Sequence, residues 1–174
     1  MEKKDIIKSL IRFFTIASSP CLVFDTHNNE GMQKLSLKVL MKEVQAPLNI
    51  SFISPSDEFF NEIFPNLKDN VKTGVKYTLG THKISFYKLE KTILKKPPEG
   101  SEVLFFYPCD DMKEKDIIKM TDNCKTLKKV IFIGKSIPAP YKGLRKYNPI
   151  FISLKPSDET AYYESMKQKL FDIK

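Results

Sequence analysis

The segment Glu102-Val-Leu-Phe-Phe-Tyr107 is the most strongly apolar short run of the sequence. A continuous apolar run of this length is typical of a β-strand that is buried on both faces. Strands of this kind lie inside largely parallel sheets that are covered by helices on both sides. The segment therefore predicts a central strand and, with it, an α/β fold.

Helical patterns alternate with further short apolar runs on both sides of this segment. The alternation predicts a doubly wound, mostly parallel sheet of about six strands, with right-handed crossovers that place helices on both faces. The expected fold is a three-layer α/β/α arrangement, RecA-like or otherwise Rossmann-like, in a single domain over residues 1–174. The predicted strands are 21–24, 48–53, 82–89, 102–107, 130–133 and 150–154.

Helices are predicted before and between these strands. An amphipathic helix within residues 1–18 has apolar residues on one face and Lys4, Lys8 and Arg12 on the other. Ser54 predicts the cap of a helix whose first helical position is the proline that follows it. Further helices are predicted at 32–44, 111–126 and 155–169.

Composition limits the class of protein. The 174 residues include 29 Lys and Arg against 21 Asp and Glu, which gives a formal net charge of +8, and 41 % are apolar. No apolar run approaches the ~18–20 residues that a membrane crossing needs, and the charged start shows no signal-peptide pattern. Three widely separated cysteines favour a reducing compartment. We therefore expect a cytoplasmic protein with no membrane contact.

The segment after the first predicted strand occupies the position of a phosphate-binding loop. In a P-loop protein such a strand leads into G-x-x-x-x-G-K-[ST] and then a helix. Of the four fixed positions, here Thr26, Gly31, Met32 and Gln33, only the second glycine remains. Met32 replaces the lysine that contacts the phosphates, and Gln33 replaces the hydroxyl that binds magnesium. We expect no ATP binding and no cofactor.

With this order of elements the chain resembles a RecA/KaiC-like ATPase core that lacks its nucleotide motifs, over about residues 15–155. The resemblance is one of layout, and it lies in the segments 21–24, 51–58 and 102–107. Other three-layer folds, including flavodoxin-like ones, produce the same layout. Family members without a working phosphate loop typically serve as partners of other proteins, so the resemblance implies a binding role.

Basic segments provide the candidate nucleic-acid contacts. The predicted loop 135–149 combines cations with tyrosines and follows the end of a strand, where open α/β sheets bind their ligands. Cations neutralise phosphates, and tyrosine rings stack on bases. A second basic row lies on the helix 32–44, and a third cluster lies within 88–96. The candidate residues are Lys135, Tyr141, Lys142, Arg145, Lys146 and Tyr147 in the loop, Lys34, Lys38 and Lys42 on the helix, and Lys88, Lys91, Lys95 and Lys96 in the third cluster.

Catalytic and metal-binding patterns are weak in this sequence, which has no recognisable nucleophile signature. Asp25, His27 and Asp110 follow predicted strands and are the residues around which an enzyme site or a divalent-metal site would form. The simpler interpretation is that Asp110 or Asp111 caps the helix that follows. We predict no catalytic residues and no resident metal.

The preferred hypothesis is a non-catalytic protein that associates with DNA or RNA without sequence preference. The alternatives are a protein-interaction or regulatory subunit of a larger complex, and a small α/β enzyme that uses the Asp25, His27 and Asp110 region. A protein partner or a homo-oligomer is expected in either binding role. The candidate contact surfaces are the apolar face of the first helix, with Ile6, Ile7, Leu10, Ile11 and Phe14, and the cluster of Phe59, Phe60 and Phe64.

Overall fold

The computed structural model describes residues 3–26, 29–63, 71–135 and 142–154. Within these ranges seven strands form one sheet in the order β3-β4-β2-β5-β6-β1-β7. All neighbouring strands are parallel except β3 and β4, which form an antiparallel hairpin. The strands are β1 (Cys21–Asp25), β2 (Asn49–Ser54), β3 (Lys76–Leu79), β4 (His82–Lys88), β5 (Val103–Phe106), β6 (Lys129–Gly134) and β7 (Ile150–Ser153).

Helices cover both faces of the sheet. The first three helices pack against one face in a first core, and the remaining helices pack against the other face in a second core. This is the predicted three-layer α/β/α architecture. Within the described ranges, no helix has both the length and the apolar character that a membrane crossing requires. The helices are α1 (Lys3–Thr15), α2 (Asn29–Glu43), α3 (Glu58–Ile63), α4 (Lys91–Lys95), α5 (Glu114–Asn123) and the 3-10 helix η1 (Lys142–Tyr147).

The central strand of the sheet is β5, and all four of its residues are buried. Because side chains alternate along a strand, Phe105 faces the first core and Phe106 faces the second. Phe105 stacks on Phe52 of β2 with ring centroids 4.6 Å apart, and Phe106 stacks on Phe132 of β6 at 5.0 Å. Both pairs stand directly opposite each other in the strand register. The prediction of a central strand here is confirmed.

The apolar face of α1 is part of the first core. Leu10 and Phe14 are buried there, as is Phe60 of α3. These side chains are therefore used within the chain and are not available as the contact surface that the sequence suggests. Phe59 is half-buried, and Phe64 lies outside the described residues. A homo-oligomer stays a prediction.

The structure contains three short elements that the sequence patterns do not reveal. β3 is an edge strand of four residues, joined to β4 by a tight turn in which Gly80 has a φ of +61°. α4 has five residues, and η1 lies inside the segment predicted to be a loop. Elements of one or two turns are too short to show a helical period, and an edge strand buries too few side chains to alternate clearly.

Two helix starts differ from the prediction. Ser54 does not cap α3, which begins only at Glu58, because the backbone of Ser54 still pairs with β4. Neither Asp110 nor Asp111 is the capping residue of α5, since that position is occupied by Lys113, whose side chain makes no capping hydrogen bond. The helix predicted at 155–169 lies outside the described residues.

Replacing Phe105 with Ala should lower the free energy of unfolding by about 3–5 kcal/mol, because the change leaves a cavity beside the ring of Phe52. Phe151→Ala is the matched control, since this side chain is 42 % exposed on the edge strand β7. Its loss should change stability by no more than about 0.5 kcal/mol. Urea unfolding followed by circular dichroism measures both, and equal losses would contradict the central role of β5.

Candidate functional site

β1 and β6 are neighbouring strands, and the segments that follow them lead to opposite faces of the sheet. After β1 the chain enters α2, which packs in the first core, and after β6 it reaches η1, which packs in the second. In open α/β sheets, ligands bind in the crevice outside the carboxyl ends of two such strands. The carboxyl ends of β1 and β6 therefore form the candidate site of this fold.

Two carboxylates border this crevice, and both are engaged. Asp25 accepts a hydrogen bond from the hydroxyl of Ser153 at 3.3 Å, and Asp110 accepts one from the backbone N–H of Lys135 at 2.5 Å. Asp25 is the last residue of β1, whereas Asp110 lies beyond the end of β5 and is held at the end of β6, the strand between them. In the part of the chain that the structure describes, no three His, Cys, Asp or Glu side chains are grouped to hold a metal. His27 lies outside that part.

The segment at the position of a phosphate loop is built into the start of α2. The helix begins at Asn29, so Gly31, Met32 and Gln33 are all helical. Met32 and Gln33 are both 0 % exposed, and Met32 is a member of the first core. Thr26, just before the helix, is also buried. These positions therefore hold side chains that pack inside the protein.

The amide of Gln33 is buried without a hydrogen-bond partner among the described residues, at both its nitrogen and its oxygen. An amide that loses its water and gains no partner costs about 1–3 kcal/mol. The helix around it has apolar neighbours such as Met32 and Leu37 in the first core. Gln33 is therefore a buried polar group with no hydrogen-bond partner among the described residues.

In the basic loop, two of the predicted residues are held by Asp122 of α5. The Nζ of Lys146 lies 2.6 Å from one carboxylate oxygen, and the hydroxyl of Tyr147 donates to the other. Burial acts to raise the pKa of Asp122, but these two hydrogen bonds outweigh it and lower the pKa below its ordinary value. Burial, followed by the bond to Asp122, raises the pKa of Tyr147. The carboxylate of Asp122 therefore already neutralises the charge of Lys146 in this part of the loop.

Packing fixes the backbone of η1 against α5 as well. Leu144 is fully buried in the second core, and the N–H of Gly143 donates to the Glu114 carboxylate at 3.2 Å. A Cβ on Gly143 would meet the end of the Ile118 side chain, so a larger residue there would require that side chain to move. The second half of the predicted loop is therefore an ordered part of the second core.

The other predicted loop residues are only partly described. Lys135 and Arg145 are exposed, and Arg145 lies on η1. Tyr141 and the side chain of Lys142 lie outside the described residues. Nucleic-acid contact by the loop stays a prediction.

α1 and α2 pack beside each other on the first-core face of the sheet, and each carries a cation at every fourth residue. Lys38 and Lys42 of α2 are exposed, whereas Lys34 is half-buried. The shared spacing is visible in the sequence, but only the packing shows that the two rows are neighbours. Together they form the basic face, which consists of Lys4, Lys8, Arg12, Lys34, Lys38 and Lys42.

The third predicted basic cluster is partly neutralised by nearby acids. Lys88 lies 3.9 Å from a Glu90 oxygen, and Lys96 lies 3.0 Å from a Glu99 oxygen. Exposed pairs of this kind contribute little to stability, but they reduce the charge that a partner would meet. This cluster is therefore a weaker candidate than the basic face.

No protein-family model and no curated protein matches this sequence. Among solved structures, the large terminase of a thermophilic bacteriophage in complex with ADP matches with a TM-score of 0.64 and 12 % identity, over 92 % of this chain and 47 % of the terminase chain. The same terminase in complex with ATP-γ-S matches with a TM-score of 0.61 and 10 % identity, over 95 % and 48 %. Another crystal form of it matches with a TM-score of 0.59 and 12 % identity, over 90 % and 48 %.

This chain therefore spans about half the length of the terminase chains that it matches. At such low identity the likeness shows the fold alone. It agrees with the predicted, mostly parallel α/β architecture.

Replacing Gln33 with Met, a side chain of similar volume, should raise the free energy of unfolding by about 1–2 kcal/mol. The reason is that the change removes a buried amide that has no partner in the described part of the chain. Gln45→Met is the control, because the exposed amide of Gln45 donates to the backbone oxygen of Lys42 at 2.9 Å. Chemical unfolding at neutral pH measures both variants. A loss of stability on Gln33→Met would contradict the interpretation of Gln33 as an unpaired group.

Proposed function

We propose that this chain is a non-catalytic, nucleic-acid-associated protein with an ATPase-like core that has lost its nucleotide site, as a degenerate RecA-like paralog would. The observation that carries the proposal is the complete burial of Met32 and Gln33 at the start of α2. A P-loop presents a lysine to the phosphates and a hydroxyl to Mg²⁺ at these two positions. Two enclosed side chains, one of them apolar, offer neither group.

The residues that follow β5 also support the loss of the nucleotide site. In nucleotide-hydrolysing proteins with this layout, a carboxylate at the end of a buried strand stands beside the metal. Here the apolar strand continues into Tyr107, and the first carboxylate is Asp110. That carboxylate accepts a hydrogen bond from the backbone of Lys135, which ties it to the end of β6. These contacts suit a structural role better than metal binding.

Charge favours a polyanion as the partner. The net charge is +8, and the basic face is formed by two helices that the fold places side by side. Lysine and arginine side chains that meet phosphates release condensed counterions, and this release supplies most of the affinity in non-specific nucleic-acid binding. A scaffold without phosphate-loop groups can act through such a surface alone.

Millimolar ATP or ADP, with or without Mg²⁺, should leave the melting temperature unchanged within about 1 °C. A ligand that binds only the folded state must stabilise it by RT ln(1 + [L]/Kd), so no shift means no binding at these concentrations. A short DNA duplex in the same thermal-shift assay is the positive control and should raise the melting temperature at low salt. A rise of several degrees with nucleotide would contradict the loss of the nucleotide site.

The protein should bind both DNA and RNA with an affinity that falls linearly on a log–log plot against salt. Each phosphate contact should contribute about 0.9 to the slope on a duplex and about 0.7 on a single strand. Gel-shift titrations between 50 and 200 mM salt measure the slope. If every nucleic acid binds more weakly than about 10⁻⁴ M, the proposal fails and the protein-interaction alternative replaces it.

A further inference from the structure

We infer that the basic face of α1 and α2 holds double-stranded nucleic acid, through contacts to the phosphate backbone alone. The inference rests on the proposed function and adds two things to it: the surface that binds and the form of the nucleic acid. It also moves the main contact from the loop 135–149 to the opposite face of the sheet.

The spacing of the cations fits a row of phosphates. Four residues of helix rise about 6 Å, so the row from Lys4 to Arg12 is about 12 Å long, and so is the row from Lys34 to Lys42. Both helices end at the edge where a strand begins, so the two rows run in the same direction. Packed helix axes lie about 8–10 Å apart. Since each strand of a duplex places a phosphate every ~3.4 Å along its axis, one row spans three to four phosphates.

Most cations of this face keep their charge uncompensated within the part of the chain that the structure describes. Asp5 is the exposed acid on α1, and α2 carries Glu43, which is half-buried, and Glu30, whose side chain lies outside the described residues. This differs from the loop, where Lys146 is paired with Asp122 at 2.6 Å. In the described part of the chain, five exposed cations of the basic face make no ion pair with a carboxylate: Lys4, Lys8, Arg12, Lys38 and Lys42.

The side chains of the basic face suit phosphates and not bases. The two aromatic residues of α1, Phe13 and Phe14, are buried in the first core, and α2 has no aromatic residue. Recognition of single strands relies on rings that stack on unpaired bases. Lysine and arginine rows without such rings neutralise the backbone and read no sequence. The chemistry therefore favours a duplex of any sequence.

The opposite face of the sheet supplies a matched control. Lys115 and Lys119 of α5 are exposed and are four residues apart, like the cations of the basic face. They alternate with Glu114 and Asp116, so this surface is of mixed charge. Removing two cations here lowers the net charge as much as removing two from the basic face.

The test compares three double variants with the full-length wild type: Lys8→Ala with Arg12→Ala, Lys38→Ala with Lys42→Ala, and the control Lys115→Ala with Lys119→Ala. Fluorescence anisotropy with a labelled duplex of about 20 base pairs and arbitrary sequence gives the affinity between 50 and 200 mM salt. Each basic-face variant should lower the salt slope by about 1.8. Between 50 and 200 mM salt, its affinity should therefore fall by a factor about tenfold smaller than that of the wild type. The control should change the slope by less than about 0.5.

Two further measurements isolate the mechanism. Lys38→Arg with Lys42→Arg should restore the slope, because charge and not shape is needed. Circular dichroism should show all variants folded, since alanine is the best helix former and the positions are exposed.

The failures are distinguishable. If the wild type binds no nucleic acid, the proposed function and this inference both fall. If the wild type binds but the basic-face variants match the control, the proposed function stands and this inference falls. It also falls if a single strand binds more than tenfold tighter than the duplex. The inference falls as well if the basic-face variants lose binding to vesicles of anionic lipid while their duplex binding is unchanged, because the face would then bind a membrane surface.

Discussion

The strand β5 has no side that faces solvent, and the rest of the architecture follows from that constraint. Its neighbours β2 and β6 must cover both of its edges, and helices must cover both of its faces, because a buried apolar strand cannot be left open to water. On one face, Phe105 stacks on Phe52, which in turn lies against Phe86 of β4. These rings join three adjacent strands into one rigid unit, on which α2 and α3 pack.

The extent to which the sequence predicts this fold depends on how much apolar surface each element buries. All six predicted strands exist, and α5 lies within the helix predicted at 111–126, because Ile117 and Met120 recur at helical spacing on its buried face. β3 and η1 are missed because the inward side chains of β3 are only half-buried, and Leu144 is the buried one among the described side chains of η1. Patterns of hydrophobicity reveal an element in proportion to its contribution to the core.

The candidate site is harder to predict because charge depends on neighbours that are distant in sequence. The sequence marks Lys146 and Tyr147 as free basic and aromatic groups, but Asp122 of another helix binds both. The basic rows on α1 and α2 are equally visible as spacings, yet their adjacency comes from the packing of two helices on one sheet face. The sequence gives the identity of each side chain, but whether its charge is paired depends on which residues the fold places beside it.

The position of β1 has a consequence for how this chain is made. Leu22 pairs with Ile131 on one side and with Ile150 on the other, so both neighbours of an early strand come late in the sequence. At roughly 5–20 residues per second, a ribosome exposes β1 for about 5–25 seconds before its partners have been synthesised. An unpaired apolar strand is prone to aggregation during that interval. The pairing of β1 therefore cannot be completed until β6 and β7 have been synthesised, and until then its apolar side chains need another cover.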